Sequence, residues 1–241
     1  LDDQAETVLM RARAGSSWRG LAGMAALAPA PVWPQGRELR LVRPLLGVRR
    51  QALRAFLEAR GAAWIEDPAN TNEAFERVRV RARLAELECA GLKPERLASL
   101  AAALRTHAEA LDAEARALLE KAARFKADRI VLARAAWGEA RYEARRRALA
   151  VLLAAASGRE RGPEAAALSR LLQRMGEAGF RGASLAGARI AAKSDNFLIS
   201  RDPGALSGRA GGGRALAPLP LTPGETAIWD GRLELEARAP G

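Results

Sequence analysis

Hydrophobic side chains recur at helical spacing through most of the chain. Near the start, Ala5, Val8 and Ala12 recur every three or four positions, which predicts an amphipathic helix over residues 2–14. The same spacing predicts five further helices, at residues 49–60, 73–90, 95–125, 135–156 and 163–176. Shorter apolar runs predict strands at residues 39–46, 63–65, 130–132, 183–192 and 196–201. The pattern predicts an α/β beginning followed by a mainly helical region with a few short strands.

Changes of character along the chain predict four segments. Alanine- and leucine-rich helical sequence begins after Pro94, which separates residues 1–90 from residues 91–203. Five glycines between Gly204 and Gly213 predict a flexible linker over 204–220. The remaining residues, 221–241, alternate like a strand pair around a turn at Asp230-Gly231 and predict the start of a β domain.

Composition and charge exclude several classes of protein. The 241 residues are 49% hydrophobic and 28% charged, which is typical of a folded chain. The single cysteine, Cys89, and the single histidine, His107, exclude a disulfide framework and a Cys- or His-rich metal site. The longest apolar run, 148–156, is too short to cross a bilayer, so no membrane partner is expected.

The formal charge of +11 is unevenly distributed. Residues 134–214 carry 15 basic and 7 acidic side chains. An arginine-rich composition can reflect a GC-rich genome, but this concentration favours a surface for a polyanion, nucleic acid before membrane.

An acidic first turn is the first candidate for chemistry. Glu6 lies four residues after Asp2 and three after Asp3, so these acids can share one helix face. Clustered carboxylates bind magnesium or an ammonium group, whereas the simpler interpretation is a solvated turn that stabilises the helix dipole. If Glu6 is such a surface acid, Glu6→Gln changes the free energy of unfolding by less than about 0.5 kcal/mol.

An arginine string is the second candidate. Arg77, Arg79 and Arg81 alternate with valines, and both a strand and a helix fit this pattern. In a helix, Arg77 and Arg81 lie together and Arg79 turns away. Guanidinium groups bind phosphates well, but a solvated basic face is the simpler interpretation. The preceding turn at residues 66–70 contains the Asp and Asn residues that ordinarily cap backbone groups.

The order of these short signals is more specific than any one of them. Asp2-Asp3-Gln4-Ala5-Glu6-Thr7 resembles the "DDQxET" motif of the tRNA(Ile)-lysidine synthetases, members of the PP-loop ATPase superfamily. Four further segments resemble motifs of that family in the same order: Gly20-Leu21-Ala22-Gly23-Met24, Arg43-Pro44-Leu45-Leu46, Glu66-Asp67-Pro68-Ala69-Asn70 and Arg77-Val78-Arg79-Val80-Arg81. The family's ATP-binding "SGGxDS" loop is absent from residues 1–241 and belongs upstream of Leu1, so we expect the chain to be a fragment without ligase activity of its own.

The resemblance implies a fold, a reaction and a set of site residues. Residues 1–90 would be the C-terminal part of a Rossmann-like PP-loop catalytic domain, and 91–203 a mainly helical tRNA-binding domain. The enzyme would use ATP and Mg²⁺ to adenylate the wobble cytidine of a CAU-anticodon isoleucine tRNA, and L-lysine would then displace AMP to give lysidine. It would be cytoplasmic.

Individual roles follow from the same resemblance. The resemblance implies catalytic carboxylates at Asp2, Asp3 and Glu6, with Asp3 as a magnesium ligand. It implies phosphate-binding arginines at Arg43, Arg77, Arg79 and Arg81. A 2-thiocytidine-type PP-loop enzyme is an alternative, but such chemistry ordinarily needs more cysteines than Cys89. A non-catalytic basic RNA-binding module is a second alternative, although it has no need of the acidic first turn.

Overall fold

The chain divides into two units inside a 29-residue helix, α5 (Pro94–Ala122). Leu1–Pro31 with Gly36–Ala110 form unit 1, and Val32–Gln35 with Leu111–Gly241 form unit 2. The computed structural model describes residues 1–32, 35–126, 128–159, 162–208 and 216–238. None of the helices in these ranges combines the length and the apolar character of a membrane span.

Unit 1 is built mainly from helices. Its elements before α5 are α1 (Asp2–Arg13), α2 (Trp18–Leu21), β1 (Leu27–Pro29), β2 (Arg40–Val42), α3 (Arg50–Glu58), a single 3₁₀ turn (Pro68–Asn70) and α4 (Glu76–Cys89). The apolar stripe of α1 packs against α4 and the first turns of α5 in a small core of Ala5, Val8, Leu84, Leu97 and Ala101. The predicted helices at 2–14, 49–60 and 73–90 are therefore confirmed within a few residues at each end.

One predicted strand of unit 1 does not form, and one observed strand was not predicted. Residues 63–65 form no strand, and Ile65 is 95% exposed, because no neighbouring strand pairs with this segment. The strand β1, which pairs antiparallel with β2, was not predicted from its short sequence.

Unit 2 places its helices on one antiparallel sheet. After α5 come β3 (Ala123–Phe125), β4 (Arg129–Ala133), α6 (Arg134–Glu139), α7 (Tyr142–Ser157), α8 (Ala165–Met175), β5 (Gly182–Leu185), β6 (Ala188–Ala192), β7 (Asn196–Arg201), α9 (Pro203–Leu206), β8 (Thr226–Trp229) and β9 (Leu233–Glu236). The sheet order is β3-β4-β7-β6-β5. Ile199 on β7 lies opposite both Ile130 and Ile190, and all three are buried in the core with the apolar side of α7.

Three predicted elements of unit 2 differ from the structure. The predicted helix over 95–125 ends at Ala122, because 123–125 pair with β4 as an edge strand. The predicted helix over 135–156 is two helices, since Ala140 has extended backbone between α6 and α7. The predicted strand over 183–192 is a hairpin, which reverses at Ala186-Gly187 with both residues at positive φ.

The unit boundary falls later than the predicted segment boundary at residue 90. Leu97 and Ala101 belong to the core of unit 1, so the first half of α5 completes that unit. The predicted linker over 204–220 begins inside α9, which Asp202 caps by accepting a hydrogen bond from Gly204 N. Residues 209–215 of that linker lie outside the described residues.

The C-terminal hairpin β8–β9 contacts the rest of unit 2 through a buried carboxylate. Asp230, at the predicted turn, accepts hydrogen bonds from Arg201 Nη2 at 2.9 Å and Arg232 Nε at 2.7 Å. Arg201 also donates to the Ser157 carbonyl at the end of α7. The next residue, Gly158, has φ of +66°, and a Cβ there would lie 2.0 Å from the Asp230 carbonyl oxygen. Glycine is thus required for this close approach.

Candidate functional site

A buried carboxylate gathers three arginines in unit 1. Glu6 lies on α1 with a fully buried side chain. Its Oε1 accepts hydrogen bonds from Arg50 Nη2 at 3.1 Å and Arg81 Nε at 3.0 Å, and its Oε2 accepts one from Arg77 Nε at 2.9 Å. Three segments far apart in sequence therefore meet at one side chain, and the simpler interpretation of Glu6 as a solvated first-turn acid is wrong.

The arginines keep Glu6 ionised despite its burial. Burial by itself raises the pKa of the Glu6 carboxyl. Hydrogen bonds from Arg81, Arg77 and Arg50 lower that pKa by more, so it lies below the ordinary value of 4.5. Three cations facing one anion leave the cluster with a net positive charge.

The two aspartates on α1 contact the start of α3. Asp2 accepts a hydrogen bond from the backbone N–H of Arg50 at 2.6 Å and pairs with Arg49 Nε at 3.0 Å. A carboxylate at this place also stabilises the positive end of the helix dipole. Asp3 Oδ1 lies 2.9 Å from Arg50 Nη2 and 3.6 Å from Arg77 Nη2, with 54% of its side chain exposed. Asp3 is consequently the most accessible of the three predicted carboxylates.

The 3.6-residue period of α4 directs the arginines at positions 77, 79 and 81 to two different faces of the helix. Arg77 and Arg81 face Glu6 together, whereas Arg79 turns away. Arg79 Nη1 donates to the carbonyls of Glu73 and Ala74 at 2.5 and 2.9 Å. The helical alternative is therefore confirmed.

A pocket of about 460 Å³ opens beside this cluster. Four of the seven predicted site residues line it: Asp2, Asp3, Arg43 and Arg77. Glu6, Arg79 and Arg81 do not line it, but Glu6 contacts Arg77 and Arg50, which do. Sequence reasoning missed Arg50, which lines the pocket and contacts both Asp3 and Glu6, because nothing near Arg50 in the sequence marks a partner 44 residues earlier.

Arg43 reaches the pocket from the end of β2. Its backbone N–H donates to the Ala26 carbonyl at 2.7 Å, and its Nη1 donates to the Ala25 carbonyl at 3.0 Å. A guanidinium has five N–H donors, so these contacts leave most of its donors available.

The remaining motif residues hold loops in place. Gln4 exchanges two hydrogen bonds with the backbone of Met24, at 2.8 and 2.7 Å, and Arg11 donates to the Gly20 and Gly23 carbonyls. Asp67 caps the 3₁₀ turn by accepting from Ala69 N at 2.8 Å, which confirms the capping interpretation of residues 66–70. The first motif thus fixes the second one against α1.

Metal-binding side chains do not cluster in the described part of the chain. No three or more His, Cys, Asp and Glu side chains there come together as a potential metal site. Magnesium is commonly held by one or two carboxylates together with substrate phosphates and water. By that standard Asp3 fits as a single protein ligand, although Arg50 competes for the same oxygen.

Comparisons with known proteins agree with the motif resemblance. Residues 1–88 match the model of the PP-loop domain family. The chain is similar to the tRNA(Ile)-lysidine synthase of Hyphomonas neptunium, with 43% identity over an alignment of 225 positions that covers 85% of this chain and 55% of the relative. It is also similar to the tRNA(Ile)-lysidine synthase of Rhizobium meliloti, with 36% identity over 99% of this chain and 50% of the relative. The tRNA(Ile)-lysidine synthase of Caulobacter vibrioides is likewise 36% identical, over 98% of this chain and 48% of the relative. The chain spans about half the length of these relatives, and the resemblance drawn from the five motifs is confirmed.

Proposed function

We infer that this chain is part of a tRNA(Ile)-lysidine synthase, whose PP-loop domain includes residues 1–88. The reaction we propose has two steps. ATP first adenylates the oxygen on C2 of the wobble cytidine in the CAU-anticodon isoleucine tRNA, and pyrophosphate leaves. The amine of L-lysine then attacks that carbon and AMP leaves, so lysidine forms. ATP, Mg²⁺, L-lysine and this tRNA are thus the proposed ligands of the complete protein.

The pocket beside Glu6 is the observation that best supports this proposal. It presents Arg43, Arg50 and Arg77 together with the exposed carboxylate of Asp3. Fixed cations stabilise the charge that develops on a phosphate chain, and a carboxylate binds a lysine ammonium. One pocket therefore has groups for both substrates of a ligation.

The burial of Glu6 divides the roles among the acids. Both of its oxygens are already bonded to arginines, so Glu6 acts as a positioning residue that orients Arg50 and Arg77 toward the pocket. Asp3, which is accessible, binds the lysine ammonium or serves as the protein ligand of Mg²⁺. Asp2 fixes the start of α3, and with it Arg50. Magnesium, when bound, would neutralise phosphate charge.

The arginines divide in the same way. We assign direct phosphate contacts to Arg43 and Arg77, because both line the pocket. Arg81 stabilises ionised Glu6 and also donates to the Asn70 carbonyl at 3.4 Å. Arg79 holds the loop before α4 and is the least suited of the four to touch a phosphate.

We propose that unit 2 binds the tRNA body. Residues 134–214 hold a large excess of basic over acidic side chains. Phosphate contacts of this kind provide most of the affinity for a nucleic acid and weaken steeply with salt. Folded RNA is recognised mainly by shape and by unpaired bases, so we expect those features to be read.

Incorporation of labelled lysine tests the whole proposal. The complete protein that contains this sequence is incubated with ATP, Mg²⁺, radioactive lysine and a transcript of the isoleucine tRNA with a CAU anticodon. We expect label in the tRNA and one AMP released for each lysine incorporated. A methionine tRNA with the same anticodon serves as the control and should stay unlabelled. Tight tRNA binding without any lysine incorporation would instead favour a non-catalytic RNA-binding protein.

A further inference from the structure

A second cleft lies in unit 2, between the first turns of α7 and the second half of α8. Its volume is about 380 Å³. Tyr142 and Arg145 line it from α7, and Ser169, Arg170 and Gln173 line it from α8. Residues three or four positions apart share a helix face, which explains why these side chains converge. The volume is that of a small-ligand site, so it suits one nucleotide better than a protein segment.

The two arginines of this cleft lack the partners that neighbouring arginines have. Around them, Arg141 pairs with Glu114 at 2.9 Å, Arg146 with Glu143 at 3.1 Å and Arg147 with Asp112 at 2.5 Å. Within the described ranges, no hydrogen bond or ion pair engages the guanidinium of Arg145 or that of Arg170. The Nε of Arg145 is buried and finds no acceptor among those residues. A buried donor without an acceptor is unfavourable and rare, so an anionic ligand is the natural acceptor here.

An aromatic side chain stands beside these cations. Tyr142 is the only tyrosine of the 241 residues, and it is 44% exposed at the mouth of the cleft. Exposed aromatic rings beside arginines are the usual platform on which proteins stack an unpaired RNA base. Gln173 and Ser169 add donors and acceptors that can meet the edge of a base.

We propose that this cleft binds one unpaired nucleotide of an RNA, with its phosphate between Arg145 and Arg170 and its base on Tyr142. This inference rests on the proposed function, since it places the contact on the tRNA substrate. A free mononucleotide has the same chemistry, and the experiment below separates the two sources.

Filter binding of the isoleucine tRNA transcript to the complete protein is the test. The double variant Arg145→Gln with Arg170→Gln is compared with Arg116→Gln and Arg141→Gln, two exposed arginines of the same unit outside the cleft. We expect the double variant to weaken binding about tenfold or more and to reduce the salt slope by about one, because the two arginines neutralise one phosphate. Tyr142→Ala should weaken binding about fivefold or more, whereas Tyr142→Phe, which keeps the ring, should bind as the unaltered protein does.

Each outcome decides the matter, provided that circular dichroism shows the variants folded. Equal weakening by the cleft and control variants would mean that only general charge matters, and would overturn the site. Unchanged binding by the double variant would overturn it as well. AMP binding is measured by calorimetry as well. If the double variant no longer binds AMP but still binds tRNA as the unaltered protein does, the cleft is a site for a free nucleotide and not for RNA. Failure of the unaltered protein to bind tRNA would overturn the proposed function, and with it the RNA assigned to this cleft.

Discussion

Glu6 Oε2 accepts a hydrogen bond from Arg77 Nε at 2.9 Å, across 71 residues of sequence. The contact joins the first motif of the chain to the last of the five, and it brings Arg77 to the pocket wall. The two motifs thus form one cluster, so substitutions in either motif test it.

The first prediction concerns the stability that Glu6 provides. Glu6→Gln removes the one buried negative charge facing three arginines, each with a third to nearly a half of its side chain exposed. Removing one partner of a buried pair costs about 3–5 kcal/mol, so with this partial solvation we expect a loss of about 2–4 kcal/mol. Urea unfolding of the complete protein measures it.

The matched control for that variant is Asp3→Asn. Asp3 is more than half exposed and should contribute less than about 1 kcal/mol. Equal losses of unfolding free energy from the two variants would mean that the burial of Glu6 adds no stability beyond that of an exposed ion pair.

The second prediction is the pH dependence of that contribution. The pKa of Glu6 is lowered in the folded protein, so the folded state binds its proton less readily than the unfolded state does. The contribution of Glu6 is therefore fully present above the ordinary value of 4.5 and is lost as pH falls through the lower folded value. The difference in unfolding free energy between the unaltered protein and Glu6→Gln should shrink as pH falls from 6 toward 3. A difference that grows on acidification would contradict the lowered pKa.

The third prediction separates the two roles proposed for Asp3. If Asp3 binds the lysine ammonium, Asp3→Asn removes a charge-assisted hydrogen bond worth about 1.5–3 kcal/mol, or about 10- to 100-fold in lysine affinity. Formation of adenylated tRNA should then change little, because it precedes lysine attack. Loss of both steps would assign Asp3 to Mg²⁺, and an unchanged lysine response with normal adenylation would exclude both roles.

The fourth prediction concerns phosphate binding by Arg43. Arg43→Gln should lower kcat/KM for ATP about 10- to 100-fold, because a fixed charge at the pocket is lost. Arg40 is an exposed arginine of β2, three residues earlier and outside the pocket. Arg40→Gln is therefore the matched control and should change kcat/KM for ATP less than about twofold. Similar losses from both variants would show that position in the pocket is irrelevant.

The fifth prediction tests the contact between the C-terminal hairpin and the end of α7. Gly158→Ala should destabilise the protein by about 2–4 kcal/mol, since a Cβ with φ of +66° would overlap the Asp230 carbonyl. Gly224→Ala has φ of +86° but meets no atom within 4 Å, and should cost only about 1 kcal/mol. Thermal unfolding compares them, and losses of equal size would argue that the hairpin makes no close contact there.

Local patterns in the sequence were sufficient to predict α1 and α4. The period of 3.6 residues placed Arg77 and Arg81 on one face of α4 and turned Arg79 away, as the structure shows. Turn chemistry likewise predicted the reversal at Asp230-Gly231. The order of five motifs was enough for the family resemblance, since order along a chain needs no coordinates.

Only the tertiary structure decided what those residues touch. Glu6 looked like a solvated acid because Asp2 and Asp3 lie beside it at the start of the same helix, yet α3 and α4 bury it completely. No sequence pattern around Arg50 marks it as a site residue. Residues 63–65 have the apolar sequence of a strand but form none, because no neighbouring strand pairs with them. The sequence determines periodicity, which is a local property of the backbone. Burial and ion pairing depend on contacts between residues 44 to 75 positions apart, and these form only when the helices pack.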